Sequence, residues 1–160
     1  MIVVADTSPL CYLILIEEVN LLSSLFNSIL IPQAVFHELK AEGAPKEVKE
    51  WMNHLPDWVK VTSVKQINDF GLDSLHSGER EAIMVAEEIK ANLIILDEKA
   101  ARKIAKARGL NVTGLLGILE IATSKKLIDL PTVIARLQKT NFRASPHLLN
   151  KLLAKYKNPS

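Results

Sequence analysis

One cysteine in 160 residues leaves nothing for an internal disulfide framework and fits a reducing cytoplasm. That residue, Cys11, falls inside an apolar helical pattern, which suits a packed thiol better than a nucleophile. No apolar run reaches the roughly 18 to 20 residues needed to span a bilayer. The stretch Leu10 to Ile16 has no basic region before it and no small-residue cleavage site after it, so a signal peptide is not expected. The four histidines, His37, His54, His76 and His147, are scattered, and no pair has zinc-ligand spacing. A Gly-rich phosphate loop is missing too, since Gly114-Leu115-Leu116-Gly117 fits neither phosphate-binding fingerprint. Asp6 is followed two residues later by Ser8, which argues against a phosphatase built on an Asp nucleophile with a second acid at that position. Aromatic residues do not interleave with the basic ones. Phe142 lies near basic residues, but sequence-specific base recognition is not readable.

What remains is an ordinary globular composition, 48% hydrophobic and 24% charged, in a chain long enough for one domain with a real core. No repeat, linker or low-complexity segment interrupts it. The net charge is only +2, yet its distribution is lopsided. Residues 1–98 hold 7 Lys/Arg against 16 Asp/Glu, and residues 99–160 hold 13 against 2. An acidic half that could gather a cation and a basic half suited to a polyanion make a suggestive pair.

Ile2-Val3-Val4-Ala5 reads as a buried parallel strand running into Asp6, with Ser8-Pro9 as the cap and first residue of the next helix. Asn92 to Leu96 is a second such strand and ends on Asp97. Shorter strands are expected at Ile29–Ile31, Trp58–Val61 and Val112–Thr113. Helices are expected at 8–18, 19–26, 32–42 (stopped by Gly43), 45–54, 79–90, 99–108 (closed by Gly109), 114–124, 131–139 and 145–156. Ile67 to Leu75 reads as loop. Strands alternating with helices predict a three-layer α/β/α sandwich around a mostly parallel sheet. One domain should span residues 1–160, with the C-terminal helices at about 131–156 packed on it or extending it. If the strands ending in Asp6 and Asp97 are adjacent, both carboxylates emerge at one edge, where open α/β sheets place ligands.

Two glutamates can join them. Glu38 borders the apolar stripe of Val35 and Leu39. Glu79 shares the face of Ala82 and Ile83, whereas Glu81 is rotated by roughly 200° from it and points elsewhere. Glu87 and Glu88 read as solvated surface. An all-oxygen set of Asp6, Glu38, Glu79 and Asp97 suits Mg²⁺ or Mn²⁺ rather than zinc. Such a metal polarises a phosphoryl oxygen and activates water for in-line attack on a phosphodiester. Thr7 and Ser8 can offer hydroxyls to the metal's water shell or to a phosphate. Along the helix after Asp97, Arg102 with Lys106 and Lys99 with Lys103 form i, i+4 pairs, and Arg102 suits a backbone phosphate.

Taken in order, Val4-Ala5-Asp6-Thr7-Ser8, Pro32 to Leu39, Gly78-Glu79-Arg80-Glu81-Ala82-Ile83 and Leu93 to Asp97 resemble a PIN domain over nearly the whole chain. The pieces Asp97 to Arg102, Val112 to Leu119 and Asn141-Phe142-Arg143 are similar to the stand-alone prokaryotic branch that includes VapC-type toxins. The resemblance implies a metal-dependent ribonuclease with Asp6, Glu38, Glu79 and Asp97 as its acids. It further implies an RNA substrate, a separate antitoxin chain, a cytoplasmic setting and a homodimer. One position departs from the pattern: many PIN domains carry a further acid two residues after the last strand's Asp, and here Lys99 stands there. The alternatives are an RNA-binding or interaction protein with a weak site, or a structure-specific DNA nuclease.

Overall fold

A computed structural model describes residues 1–65 and 68–157. Two compact units divide the chain, residues 1–115 and 116–160. The first holds a five-stranded sheet: β1 (Val3–Ala5), β2 (Ile29–Pro32), β3 (Val59–Thr62), β4 (Leu93–Ile95) and β5 (Val112–Thr113). Every pairing is parallel, and the order is β3-β2-β1-β4-β5. Parallel neighbours need crossovers, and helices supply them. These are α1 (Thr7–Leu15) with α2 (Leu21–Phe26), α3 (Gln33–Lys40) with α4 (Lys46–Asn53), α5 (Ser77–Glu88) and α6 (Lys99–Ala107).

Side-chain alternation explains the burial. Val4, Ile94 and Leu96 pack with Ala82, Ile83 and Ala86 of α5 and with Ala101 and Ala105 of α6. Val3, Ala5 and Ile95 project to the other face and are just as buried, so the sheet is covered on both sides. The α/β sandwich expected from the sequence is the fold observed. β1 and β4 are neighbours in register, Val3 against Leu93 through Ala5 against Ile95. The chain builds outward from β1 to β3 on one side, then crosses to β4 on the other. That reversal opens the crevice at the carboxyl ends of β1 and β4.

Several boundaries differ from the sequence reading, each for a local reason. The first helix begins at Thr7, so Asp6 itself stands at the N-cap position in extended conformation, making no side-chain capping bond. It ends at Leu15, because Glu17 takes a left-handed φ of 61°. The helix α3 stops at Lys40 with Ala41 extended, so Gly43 is no C-cap. Gly109, by contrast, has φ 82° just past α6, as a helix-ending glycine should. Ile67, part of the expected 67–75 loop, lies outside the described residues.

In the second unit, after the remainder of α7 (Leu115–Ser124), α8 (Leu130–Gln138) and α9 (Pro146–Lys155) pack on one another. Both carry proline in the first turn, and Asp129 and Ser145 cap them by accepting from the N–H of Thr132 and Leu148. Leu130, Val133, Ile134, Leu137, Leu149 and Leu152 are buried. Glu120 accepts from the Tyr156 hydroxyl at 3.1 Å and pairs with Lys155. None of the helices among the described residues is long and apolar enough to cross a membrane.

Candidate active site

Asp6 is held at the end of the central strand by its own backbone N–H, which donates to the carbonyl of Ile95 at 3.0 Å. Its side chain is 3% exposed, and Oδ1 is buried without a hydrogen-bond partner. A buried polar atom left unpaired is costly, so such an atom needs an explanation. Burial pushes the Asp6 carboxyl up to about 7, against a partial offset from the Thr7 N–H; Glu79, Glu38 and Asp97 add Coulombic repulsion in the same upward direction. That repulsion is the physical signature of four acids facing one crevice.

Asp97 follows β4 after Leu96, one residue beyond the register of Asp6. Its Oδ1 accepts the N–H of Leu115 at 2.8 Å, and its Oδ2 is buried and unpartnered. Burial raises this carboxyl too, opposed by the Leu115 N–H and the Arg102 guanidinium. The unpaired oxygens of Asp6 and Asp97 therefore sit at the ends of adjacent strands.

The two glutamates arrive on helices. α3 packs against α5, and the motif Gly78-Glu79-Arg80-Glu81 is built around that contact. A Cβ on Gly78 would stand 2.4 Å from Oε2 of Glu38, so only glycine lets the Glu38 carboxylate lie against the first turn of α5. Glu38 also accepts the Thr7 hydroxyl at 3.0 Å, which ties it to the residue after Asp6. Glu79 is 8% exposed and accepts the His76 N–H at 3.1 Å, the backbone bond expected of a third-position helical Glu. Burial raises its carboxyl, with Glu98 and Glu38 adding to the rise. Glu81 points away, as its helical angle requires, and accepts the N–H of Ala34 at 3.0 Å in the first turn of α3. Glu79 faces the crevice, while Glu81 holds the helix that carries Glu38.

Glu98 caps α6 by accepting the N–H of Ala101 at 2.8 Å. Lys99 is exposed at the start of that helix. Glu87 and Glu88 are not simple surface: Glu87 pairs with Arg108, and Glu88 accepts the N–H of Lys65 at 3.2 Å. Ser8 is half-buried in the first turn of α1, and Lys106 is exposed near the end of α6. Arg102 is turned inward, its Nη1 donating to the Leu96 carbonyl at 2.9 Å.

Among the described residues, no three His, Cys, Asp or Glu side chains close into a ready-made cage for a metal ion. The four acids instead reach the crevice separately, Asp6 and Asp97 from the strand ends and Glu38 and Glu79 from α3 and α5. Their chemistry nonetheless fits a hard divalent cation. All the donors are oxygens, and two buried carboxylate oxygens have no other partner.

A PIN domain model matches residues 2–158, so the chain belongs to the PIN domain family. A solved structure with the same fold is a PilT N-terminus domain protein from the hyperthermophilic archaeon Sulfolobus solfataricus. It is 25% identical with a TM-score of 0.55, and the match covers 74% of this chain and 91% of that one. No curated protein sequence matches the chain. PIN domains are generally nucleases and generally use divalent metals.

The Gly78 contact makes a direct prediction. Gly78→Ala should leave stability within about 1 kcal/mol, because the intruding group meets the end of a flexible side chain and alanine favours helix. It should displace Glu38 and weaken activity. Thermal unfolding alongside a nuclease assay checks this. A large loss of stability would show that α5 itself had shifted.

Proposed function

We propose that the chain is a metal-dependent endoribonuclease in which Asp6, Glu38, Glu79 and Asp97 hold Mg²⁺ or Mn²⁺. The observation that carries this reading is the pair of buried, unpartnered oxygens, Asp6 Oδ1 and Asp97 Oδ2, at the topological switch point of the sheet. The bound cation would polarise the scissile phosphoryl group and lower the pKa of water. The chain's own residues do the rest. Thr7 fixes the direction of the Glu38 carboxylate, Glu81 anchors α3, and burial keeps bulk water from the carboxylates of Asp6 and Glu79. The exposed Lys99, Lys103 and Lys106 lead away from Asp97 along α6 and offer point charges to a sugar–phosphate backbone. Arg102 and Ser8 flank the same edge.

Family membership supports the nuclease class, and the basic C-terminal half favours a nucleic-acid substrate. The reading extends to a toxin whose antitoxin is a separate chain, acting in the cytoplasm, with a homodimer as its working form. Asp97→Asn keeps the acceptor for the Leu115 N–H and removes the charge, so it tests the site with little structural change. Single-stranded RNA should be cut by the wild type with Mn²⁺, at least about 100-fold more slowly by the variant, and not at all in chelator. Equal cleavage by both proteins would remove Asp97 from the site. Preferential cutting of branched or duplex DNA would replace the RNA reading with a DNA one.

Lys99 favours a second reading, in which the site is weak and the protein serves mainly to bind RNA. Isothermal titration separates the two: an intact acidic edge takes up Mn²⁺, and a weakened one does not.

A further inference from the structure

Arg102 looks like a phosphate ligand when only the charge pattern of α6 is considered, yet one arm of its guanidinium is committed inside the protein. It lies in the first turns of a helix whose side chains lean toward the N-terminus, so it reaches back over the end of β4. Nη1 donates to the carbonyl of Leu96, the residue just before Asp97. Gly114 completes the arrangement. A Cβ there would stand 2.6 Å from Arg102 Nη1, 2.7 Å from Asp97 Oδ1 and 3.2 Å from the Leu96 carbonyl oxygen. Three polar atoms from two elements thus converge on the one backbone position that has no side chain. The next N–H, that of Leu115, takes Asp97 Oδ1 at 2.8 Å. One carboxylate oxygen is fixed from behind by this cluster, and the other, Oδ2, is buried and bare.

We infer that Arg102 is a positioning residue for Asp97: with Gly114 and the Leu115 N–H, it locks the end of β4 so that Asp97 Oδ2 faces the crevice. The inference rests on the reading that this edge holds a divalent cation, and it reassigns Arg102 from the substrate to the support of a ligand. Groups that orient a metal-binding side chain typically control metal affinity by about 10- to 100-fold. A residue that touches only phosphate controls RNA affinity and its salt dependence instead.

The test uses the full chain. Mn²⁺ binding by calorimetry in the absence of RNA, and RNA binding in chelator, are measured for wild type, Arg102→Gln, Arg102→Lys and Lys106→Gln. Arg102→Gln should weaken Mn²⁺ binding by roughly tenfold or more while leaving RNA affinity in chelator within about twofold. Arg102→Lys should recover part of the metal affinity and remain folded if the glutamine variant does not. Lys106→Gln should show the opposite pattern. Wild-type metal affinity in both Arg102 variants, with weakened RNA binding, would overturn the positioning role alone. Failure of the wild type to bind Mn²⁺ would overturn the metal reading, and the inference with it.

Discussion

Asp6→Asn is expected to stabilise the metal-free protein by about 2 kcal/mol at pH 8 while abolishing metal-dependent cleavage. The folded carboxyl titrates at about 7 against an ordinary value of 3.8, chiefly because it is buried. Below about pH 4 both folded and unfolded chains carry the proton, and the group is neutral to stability. As pH rises, the unfolded chain ionises first and binds fewer protons than the folded one, so stability falls between about pH 4 and pH 7. Above that window the full cost is present, on the order of 4 kcal/mol from the difference in pKa. An amide escapes that cost but is itself left with a buried, incompletely paired group, which takes back about half of the gain. For a chain of this size a net 2 kcal/mol corresponds to a melting temperature higher by roughly 4 to 8 °C. Thermal unfolding of both proteins in chelator from pH 4 to pH 8 checks the claim: the variant's advantage should shrink as pH falls, cross zero at about pH 5 and become a deficit by pH 4, because the amide's cost stays while the carboxyl's disappears. A gap that is constant across pH, or a variant less stable at pH 8, would show that Asp6 is not held in the way described.

A side chain whose ionised form destabilises the fold in which it sits is a local conflict, and such conflicts mark functional positions. The sequence made this one legible because β1 and β4 are continuous apolar runs ending in acids, and a parallel sheet sends both ends to one edge. The choice of Glu79 over Glu81 was equally legible, since a step of two residues turns a helical side chain to the far side. Helix ends were less so. Asp6 occupies the cap position that Ser8-Pro9 suggested for serine, and Gly43 follows a helix that has already ended at Lys40. Short-range punctuation shows that a turn is near without fixing its residue.

What escaped the sequence entirely depends on which elements touch. Gly78 and Gly114 matter for the carboxylates that approach them, and those come from 40 and 17 positions away in the chain. Glu81 reads only as turned away from the face of Glu79 until α3 lies beside it. Arg102 reads as one cation in a basic row, although its place beside Ala101 and three residues before Ala105, both buried, was the available sign that it turns inward. Burial and partners of α6 are set by tertiary packing, which charge spacing along one helix does not encode.

Divalent metal should stabilise the wild type strongly at pH 8 and weakly at pH 6. A ligand that binds only the folded state adds about 2.7 kcal/mol when present at 100 times its dissociation constant. Burial raises the carboxyls of Asp6, Glu79 and Asp97, and Asp6, pushed up to about 7, still holds below that pH a proton that an exposed carboxylate would already have lost, which an incoming cation must displace. With Asp6 alone titrating near 7, the apparent affinity for Mn²⁺ should fall about tenfold for each pH unit below that value, and more steeply if a second acid is coupled to it. Proton release, read by calorimetry in two buffers of different ionisation enthalpy, should be about one or more per Mn²⁺ at pH 6 and should approach zero at pH 8. Chelator should return the melting temperature to its metal-free value at both pH values. Asp6→Asn should show neither the stabilisation nor the proton release. An affinity flat from pH 6 to pH 8 would mean that the cation binds acids already ionised at the surface, and would move the metal away from the ends of β1 and β4.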